Sequence, residues 1–488
     1  MPRTRRFVLF ELNEVPTRVV SHYAARHPAS AFAKILRQGS QWETFTPDEG
    51  HLSPWITWPT LHRGVPSAKH QIRALGQDVS EVDRRYPPVW ALLTSAGRRV
   101  GLFGSLHSYP APANADSYDF FVPDTFAASP ETVPAELSAF QQFNLTMVDR
   151  SGRNVSSRVP AKETAAFLKS AMGTGLRAGT VAKAARQVAV ERLVRDRVGR
   201  RRTIQSLIAF DLFLTQLTKK RPDAAFFFTN HVASSMHRYW PATFTEDYRQ
   251  TKWSEAWVRR FSGEIDYAMG EADGMLAALM SFADQHPDYL VLVTGSMGQA
   301  AVDSAEKQTK SEVLIRDMGK FMAQLGIGGW SRRRTMEPTY TVTFADESAA
   351  QAFIAACSTV KVAGEPLDCR ALDERSVEFV LGHKNVPAEE FTLTIGNRPV
   401  EPAEAGLGNV LIDDEVGSAA YHVPEGMLLL YDPQQQRDGA RHDEPVSTTR
   451  VAPTLLALQG VAAPDYMEQP IPQLVQGALT SADEPVPA

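Results

Sequence analysis

Between Ser53 and Ile72 the chain reads SPWITWPTLHRGVPSAKHQI, which sets one hydroxyl, Thr57, between Trp55 and Trp58 and ahead of Pro59. A threonine in that setting suits the start of a helix, with its oxygen facing outward. Backbone N–H groups of the next turn would then stabilise negative charge beside that oxygen, the layout of an activated nucleophile. Further polar groups close apolar runs elsewhere: Asn13 and Glu14 after RRFVLFEL, Asn230 and His231 after AAFFFT, Ser296 and Gln299 after YLVLVT. His237 and His422 stand in later loops. A histidine within reach of Thr57 could act as its general base, with amide side chains stabilising an oxyanion. Such a site could perform acyl, carbamoyl, sulfuryl or phosphoryl transfer. Trp55, Trp58, Tyr239 and Trp240 could stack on a flat or sugar-like group, or could simply pack. Glu11 and Glu14 read as salt-bridge partners of nearby arginines.

The elements that must position these groups are continuous apolar runs: Val8 to Leu12, Val100 to Phe103, Ala225 to Phe228, Leu290 to Val293 and Met427 to Leu430. Runs of this kind suit a parallel sheet covered on both faces. Helical segments such as Pro88 to Ser95 and Trp253 to Phe282 separate them. The expected fold is α/β, a doubly wound and mostly parallel sheet sandwiched by helices, with ligands beyond the carboxyl ends of the strands. Asn13, Asn230, Ser296 and the Thr57 segment all fall there. The core is expected over residues 1–331 and 409–475, followed by a flexible tail at 476–488. A helical, arginine-rich insertion interrupts it at about 160–221; it reads as a solvated face or a helix pair over the cleft, and alternatively as a basic lid for an anionic substrate or a contact with a membrane surface or partner. Residues 332–408 alternate strand patterns with one amphipathic helix, a small α+β cap that would select the substrate.

At 488 residues with 43% hydrophobic and 22% charged content, the chain has the material for a well-buried globular core. Its net charge of −5 argues against general nucleic-acid binding. The two cysteines, Cys357 and Cys369, imply neither a disulfide framework nor a metal site. The start, MPRTRRFVLFELNE, has too few apolar residues for a signal peptide, and no run approaches a membrane span. A cytoplasmic location and an internal small-molecule substrate are expected.

The Ser53–Ile72 stretch resembles the nucleophile segment of the alkaline phosphatase superfamily, in its type I phosphodiesterase/nucleotide pyrophosphatase-like branch. The matching positions are Pro54, Thr57, Trp58, Pro59, Gly64, Pro66 and His70. Four further segments agree in chain order: RRFVLFELNEVP, AAFFFTNHVASSMHRYWP, YLVLVTGSMGQ, and YHVPEGMLLLYDP with STTRVAPTLLALQGVAAPDYM. The resemblance covers Phe7 to Met467 and is weakest between Ala300 and Leu411.

The resemblance implies an alkaline-phosphatase-like fold and two metal ions, usually zinc, that clamp a phosphoryl group while threonine attacks. One ion is held by an aspartate, a histidine four residues later and a histidine near the C-terminus. The other is held by the first-strand aspartate, the nucleophile and an Asp-His pair. Here the first-strand position carries Asn13, the position four before His237 is Ala233, and the Asp-His pair is Ser296 and Met297. Thr57, His237 and His422 remain. Amide, hydroxyl and thioether groups replace carboxylate charge poorly beside a dication, so the second metal position should be empty. His231, His237 and His422 with a water would suit a single zinc centre, and otherwise they are metal-free pocket groups. The expected function is a hydrolase or transferase acting on a phosphoryl-like, sulfuryl or acyl group through Thr57, with one zinc ion or none. Asn13, Ser296 and His237 would join the catalysis, and Trp58, Asn230, Gln299 and Tyr239 would bind an anionic substrate. The alternative is an inactive relative that binds a ligand or partner with the retained fold.

Overall fold

The computed structural model describes residues 4–151, 167, 173–249, 253–302, 311–411, 419–435 and 439–480. The central sheet has eight strands: β1 (Arg6–Leu12), β2 (Ser40–Phe45), β3 (Val100–Phe103), β4 (Phe120–Val122), β5 (Ala224–Thr229), β6 (Tyr289–Thr294), β7 (Glu425–Tyr431) and β8 (Ala440–Ser447). Their spatial order is β8-β2-β7-β6-β1-β5-β3-β4. From β6 to β4 every pair is parallel. β7 runs antiparallel to both β6 and β2, and β2 pairs parallel with β8. The expected doubly wound, mostly parallel sheet between helical layers is therefore present, with one reversed strand inside it.

The alternation of β1 explains its apolar run from Phe7 to Phe10. Val8, Phe10 and Leu12 enter one core layer, while Phe7 and Leu9 enter the opposite one. Helix α1 (Pro54–Arg63) and the helix Val451–Leu458 cover the second layer. Helices α2 (Arg201–Lys220), α3 (His231–Thr243) and α4 (Glu264–Gln285) cover the first.

Within the arginine-rich insertion, α2 turns Ile204, Leu207, Ile208, Phe210 and Phe213 into the core. Its arginines are largely engaged: Arg197 and Arg200 on Glu264, and Arg201 on Glu191. The described part thus packs on the sheet. Residues 160–166 and 168–172 of the expected insertion, and 481–488 of the expected tail, lie outside the described residues.

The cap has two four-stranded antiparallel sheets and the helix Glu347–Cys357, whose first turn is capped by the Asp346 carboxylate accepting from Ala349 N at 2.9 Å. Its hydrophobic cluster runs from Val313 to Leu407, so Met318, Phe321 and Met322, ahead of residue 332, pack into it as well. Cys357 and Cys369 are free thiols. Among the described residues, no helix is long and apolar enough to cross a membrane.

Candidate functional site

The carboxyl ends of β1, β5 and β6 deliver Asn13 and Glu14, Asn230, and Ser296 to one edge of the sheet. This is where a parallel sheet presents its ligand-binding groups. Glu14 takes a left-handed backbone conformation, with φ of 60°. That conformation is costly for a residue with a Cβ and persists only when surrounding contacts enforce it.

Those contacts are polar and nearly closed to solvent. Asn13 Nδ2 donates to Glu14 Oε1 at 2.8 Å and to Asn230 Oδ1 at 2.7 Å. Asn13 Oδ1 accepts from the indole of Trp58 at 2.7 Å. Gln299 Nε2 donates to Glu14 Oε2, and Gln299 Oε1 is buried without a partner among the described residues. Trp58 is fully buried and stacks on His62, so it acts as a support for Asn13.

The second oxygen of Glu14 meets two imidazoles. His237 Nε2 lies 3.0 Å and His422 Nε2 3.3 Å from Glu14 Oε2. His237 comes from α3, and its Nδ1 lies 2.8 Å from the carbonyl oxygen of Ala420. His422 comes from strand Ala420–Val423, paired antiparallel with Gly298–Ala301 so that His422 stands opposite Gln299. Its Nδ1 lies 2.7 Å from the carbonyl oxygen of Leu52. A carbonyl only accepts, so in both rings Nδ1 carries the proton. Each Nε2 can then face a carboxylate only by carrying a second proton or by sharing a cation with it. Burial pushes the Glu14 carboxyl up, but the two histidines outweigh burial and hold it well below the ordinary carboxylate range.

Donor geometry fits a metal ion. The ligand atoms of Glu14, His237 and His422 all lie within 4.8 Å of one another. Tetrahedral zinc with bonds of about 2.0–2.1 Å sets neighbouring donors roughly 3.3 Å apart, and the two carboxylate–imidazole separations are 3.0 and 3.3 Å. Backbone carbonyls on both Nδ1 atoms supply the outer partners that orient ligating histidines. The Glu14 and His422 side chains are 3% and 8% exposed, while His237 is 22% exposed and opens the group to solvent on one side.

Several expected site residues stand elsewhere. His231 leaves the histidine group: its Nδ1 lies 2.7 Å from Thr229 Oγ1 and its Nε2 3.1 Å from the Ala268 carbonyl, both buried. Burial pushes its pKa down to about 4. Glu14, read as an arginine partner, occupies the expected place of His231, because the left-handed turn after β1 swings its side chain toward α3. Glu11 also lacks an arginine; it pairs with His62 Nε2 at 2.7 Å and accepts from Ser105 at 2.7 Å, a buried network beneath the site. Tyr239 and Trp240 belong to the core, Tyr239 stacked on Phe261 and Trp240 bonded to Asp247. The only advance signal for Glu14 was its position one residue beyond the first-strand site.

Thr57 also differs from its expected setting. Helix α1 begins at Pro54, so Thr57 is its fourth residue and fully buried. Its Oγ1 lies 3.2 Å from the Ser53 carbonyl and 2.7 Å from Ser296 Oγ. Thr57 and Ser296 are thus brought together, but the partners of the threonine are not basic, and both site histidines turn to Glu14.

Beside this centre lies a cavity of about 180 Å³, bordered by Asn13, Asn230, Trp55 and residues of α2.

No family model and no curated protein matches the chain. Among solved structures it is similar to murine ectonucleotide pyrophosphatase/phosphodiesterase 5, an inactive variant in complex with AMP, with 10% identity, a TM-score of 0.40, and 95% of this chain and 97% of that one covered. It is also similar to the human form, at 10% identity and a TM-score of 0.41, covering 95% and 97%. A substituted form of the alkaline phosphatase PafA gives 12% identity and a TM-score of 0.46, covering 97% and 99%.

Proposed function

We propose that the chain is a hydrolase of anionic esters, phosphoryl-like, sulfuryl or acyl, built around a single divalent-metal site formed by Glu14, His237 and His422. The observation that carries it is the approach of both Nε2 atoms to one Glu14 oxygen, at 3.0 and 3.3 Å, with each Nδ1 held on a backbone carbonyl. Two histidines and a glutamate with a fourth position open are a donor set used by catalytic zinc. When bound, such an ion supplies Lewis acidity at an ester oxygen and a more acidic water.

The chain's own groups have separate tasks. Asn13 and Gln299 hold the Glu14 carboxylate in place by hydrogen bonds to its two oxygens. The Ala420 and Leu52 carbonyls keep the Nδ1 protons in place and the Nε2 lone pairs aimed at the centre. Water is the attacking group, since Thr57 has hydroxyl and carbonyl partners in place of a base. Thr57 and Ser296 offer hydroxyls to a substrate oxygen.

A second reading, a metal-free ligand-binding protein, draws on the groups where relatives would hold a second ion. Asn13 is satisfied by Trp58, Glu14 and Asn230, and Met297 is fully buried. Elemental analysis of protein purified without added metal separates the two. About one zinc per chain, lost in His237→Ala and in Glu14→Gln, is the expected result. Absence of any divalent metal from the wild type, with no uptake on titration, would leave the binding reading.

A further inference from the structure

The cap holds the chain's two cysteines on facing elements. Cys357 is the last residue of the helix Glu347–Cys357 and follows Phe353 by one turn, so the two side chains share a face with Ala350. All three are buried. Cys369 lies in the strand Asp368–Ala371, which pairs antiparallel with Ser376–Val380 and sets Cys369 directly opposite Phe379. Residues opposite each other in such a pair point to the same side of the sheet. Phe353 meets Phe379 edge-on, with ring centroids 5.4 Å apart and planes at 71°. The helix face that carries Cys357 therefore packs on the side of the sheet that carries Cys369. Cys369 is half-buried against the same hydrophobic cluster.

The two thiols meet across this interface and share a side-chain hydrogen bond. Its asymmetry gives the two sulfurs different parts. The bond from Cys357 holds the Cys369 thiol below its ordinary range, against burial and the Asp368 carboxylate. The same bond, together with burial, pushes Cys357 up. A half-buried thiol that ionises more readily is the one that an oxidant in solution reaches. A fully buried thiol is placed to react only with its neighbour. Among the described residues, neither sulfur belongs to a cluster of metal-ligating groups.

We propose that Cys357 and Cys369 form a reversible disulfide that fastens the helix of the cap to its sheet. The oxidant is a small disulfide such as oxidised glutathione. The Cys369 thiolate attacks one sulfur of the oxidant, releases the other as a thiolate and leaves a mixed disulfide. Cys357 then gives up its proton, and its sulfur attacks that of Cys369, forming the Cys357–Cys369 bond and expelling the second thiolate. Two protein thiols are oxidised, and one small disulfide is reduced to two thiols. The same sheet carries Thr341, whose hydroxyl donates to the Leu75 carbonyl at 3.2 Å, so the link lies in the part of the cap that joins the core. Formation of the bond depends neither on the metal site nor on hydrolysis.

The test is intact-mass analysis and thiol titration of the full chain after incubation with oxidised glutathione, repeated on Cys357→Ala and Cys369→Ala. The wild type should lose both thiols, become lighter by two hydrogens and retain no glutathione. Digestion without reductant should release the two cysteine peptides joined to each other. The melting temperature should rise, because the closed loop restricts the unfolded chain, and dithiothreitol should reverse every change. Cys357→Ala should keep one glutathione on Cys369, because the thiol that would expel it is gone. Cys369→Ala should stay unmodified, since Cys357 is fully buried. Glutathione retained on the wild type, disulfide-linked dimers, or thiols still free under conditions that oxidise dithiothreitol would overturn the proposal. So would equal modification of the two variants, or an unchanged melting temperature after oxidation. If either variant fails to fold, the mass and the joined peptides of the wild type decide it.

Discussion

Glu14 and His237 meet at 3.0 Å although they are 223 residues apart in sequence, one leaving the first strand and the other on the second turn of α3. The contact joins a backbone residue at φ of 60° to a ring whose other nitrogen is fixed by the Ala420 carbonyl. A carboxylate and an imidazole held this way from opposite sides leave no freedom for either to turn aside. The proposed metal site would use this pair without reorganising it.

Glu14→Gln keeps the hydrogen-bonding shape and removes the charge. Metal affinity should fall by more than the roughly 10–100-fold that losing an outer partner costs. Equilibrium dialysis against zinc, with elemental analysis of the retained protein, reads this directly. Unchanged stoichiometry and affinity would remove Glu14 from the metal site.

Thr57→Ala distinguishes the attacking group. With water as nucleophile, the variant should keep its metal and retain ester hydrolysis within about tenfold, as Ser296→Ala should, because each loses one hydroxyl contact. A drop of roughly a thousandfold or more, with metal content and melting temperature unchanged, would instead make Thr57 the nucleophile.

Asn13→Asp would restore a carboxylate where relatives of the resembled family carry one. Here it should destabilise the metal-free protein by about 1–3 kcal/mol, because the amide donors to Glu14 and Asn230 disappear and like charges meet. Urea denaturation in the presence of a chelator gives the value. An unchanged midpoint would mean that Asn13 is not the group that holds Glu14.

Acid should unfold the protein in a window set by buried neutral histidines. Burial lowers His231 and His107 to about 4 and His70 to about 3. Their unfolded value is about 6.5, so below that pH the unfolded chain takes up protons that the folded one refuses. Stability is then lost as pH falls from about 6.5 toward 4, by at most roughly 1.4 kcal/mol per pH unit for each histidine. Asp124, raised to about 6 by burial, has the opposite sign and costs stability as pH rises from about 4 to 6. Three histidines outweigh one carboxyl. Denaturation midpoints between pH 7 and 4 should fall with acid, and His231→Gln should flatten the slope by up to one proton. A flat profile would contradict the buried neutral state.

The central sheet and the side on which its strands end are legible in the order of residue types. Apolar runs such as Phe7–Phe10 have to be covered on both faces, and the polar residues that follow them emerge together at one side. The gathering of Asn13, Asn230 and Ser296 at one edge of the sheet follows from that order. The reversed β7 was not legible, because strand direction leaves no mark on an apolar run. Which charged groups meet was decided only in three dimensions. His231 and His237 lie six residues apart on one helix, and the helical rotation between them sends one into the core at Ala268 and the other to Glu14. Glu11 and Glu14 leave the same strand, yet the left-handed turn at Glu14 divides them between a buried histidine–serine network and the contacts with His237 and His422. Residue types can be read along a chain, but the side each one faces is set by backbone rotation and by the elements packed against it.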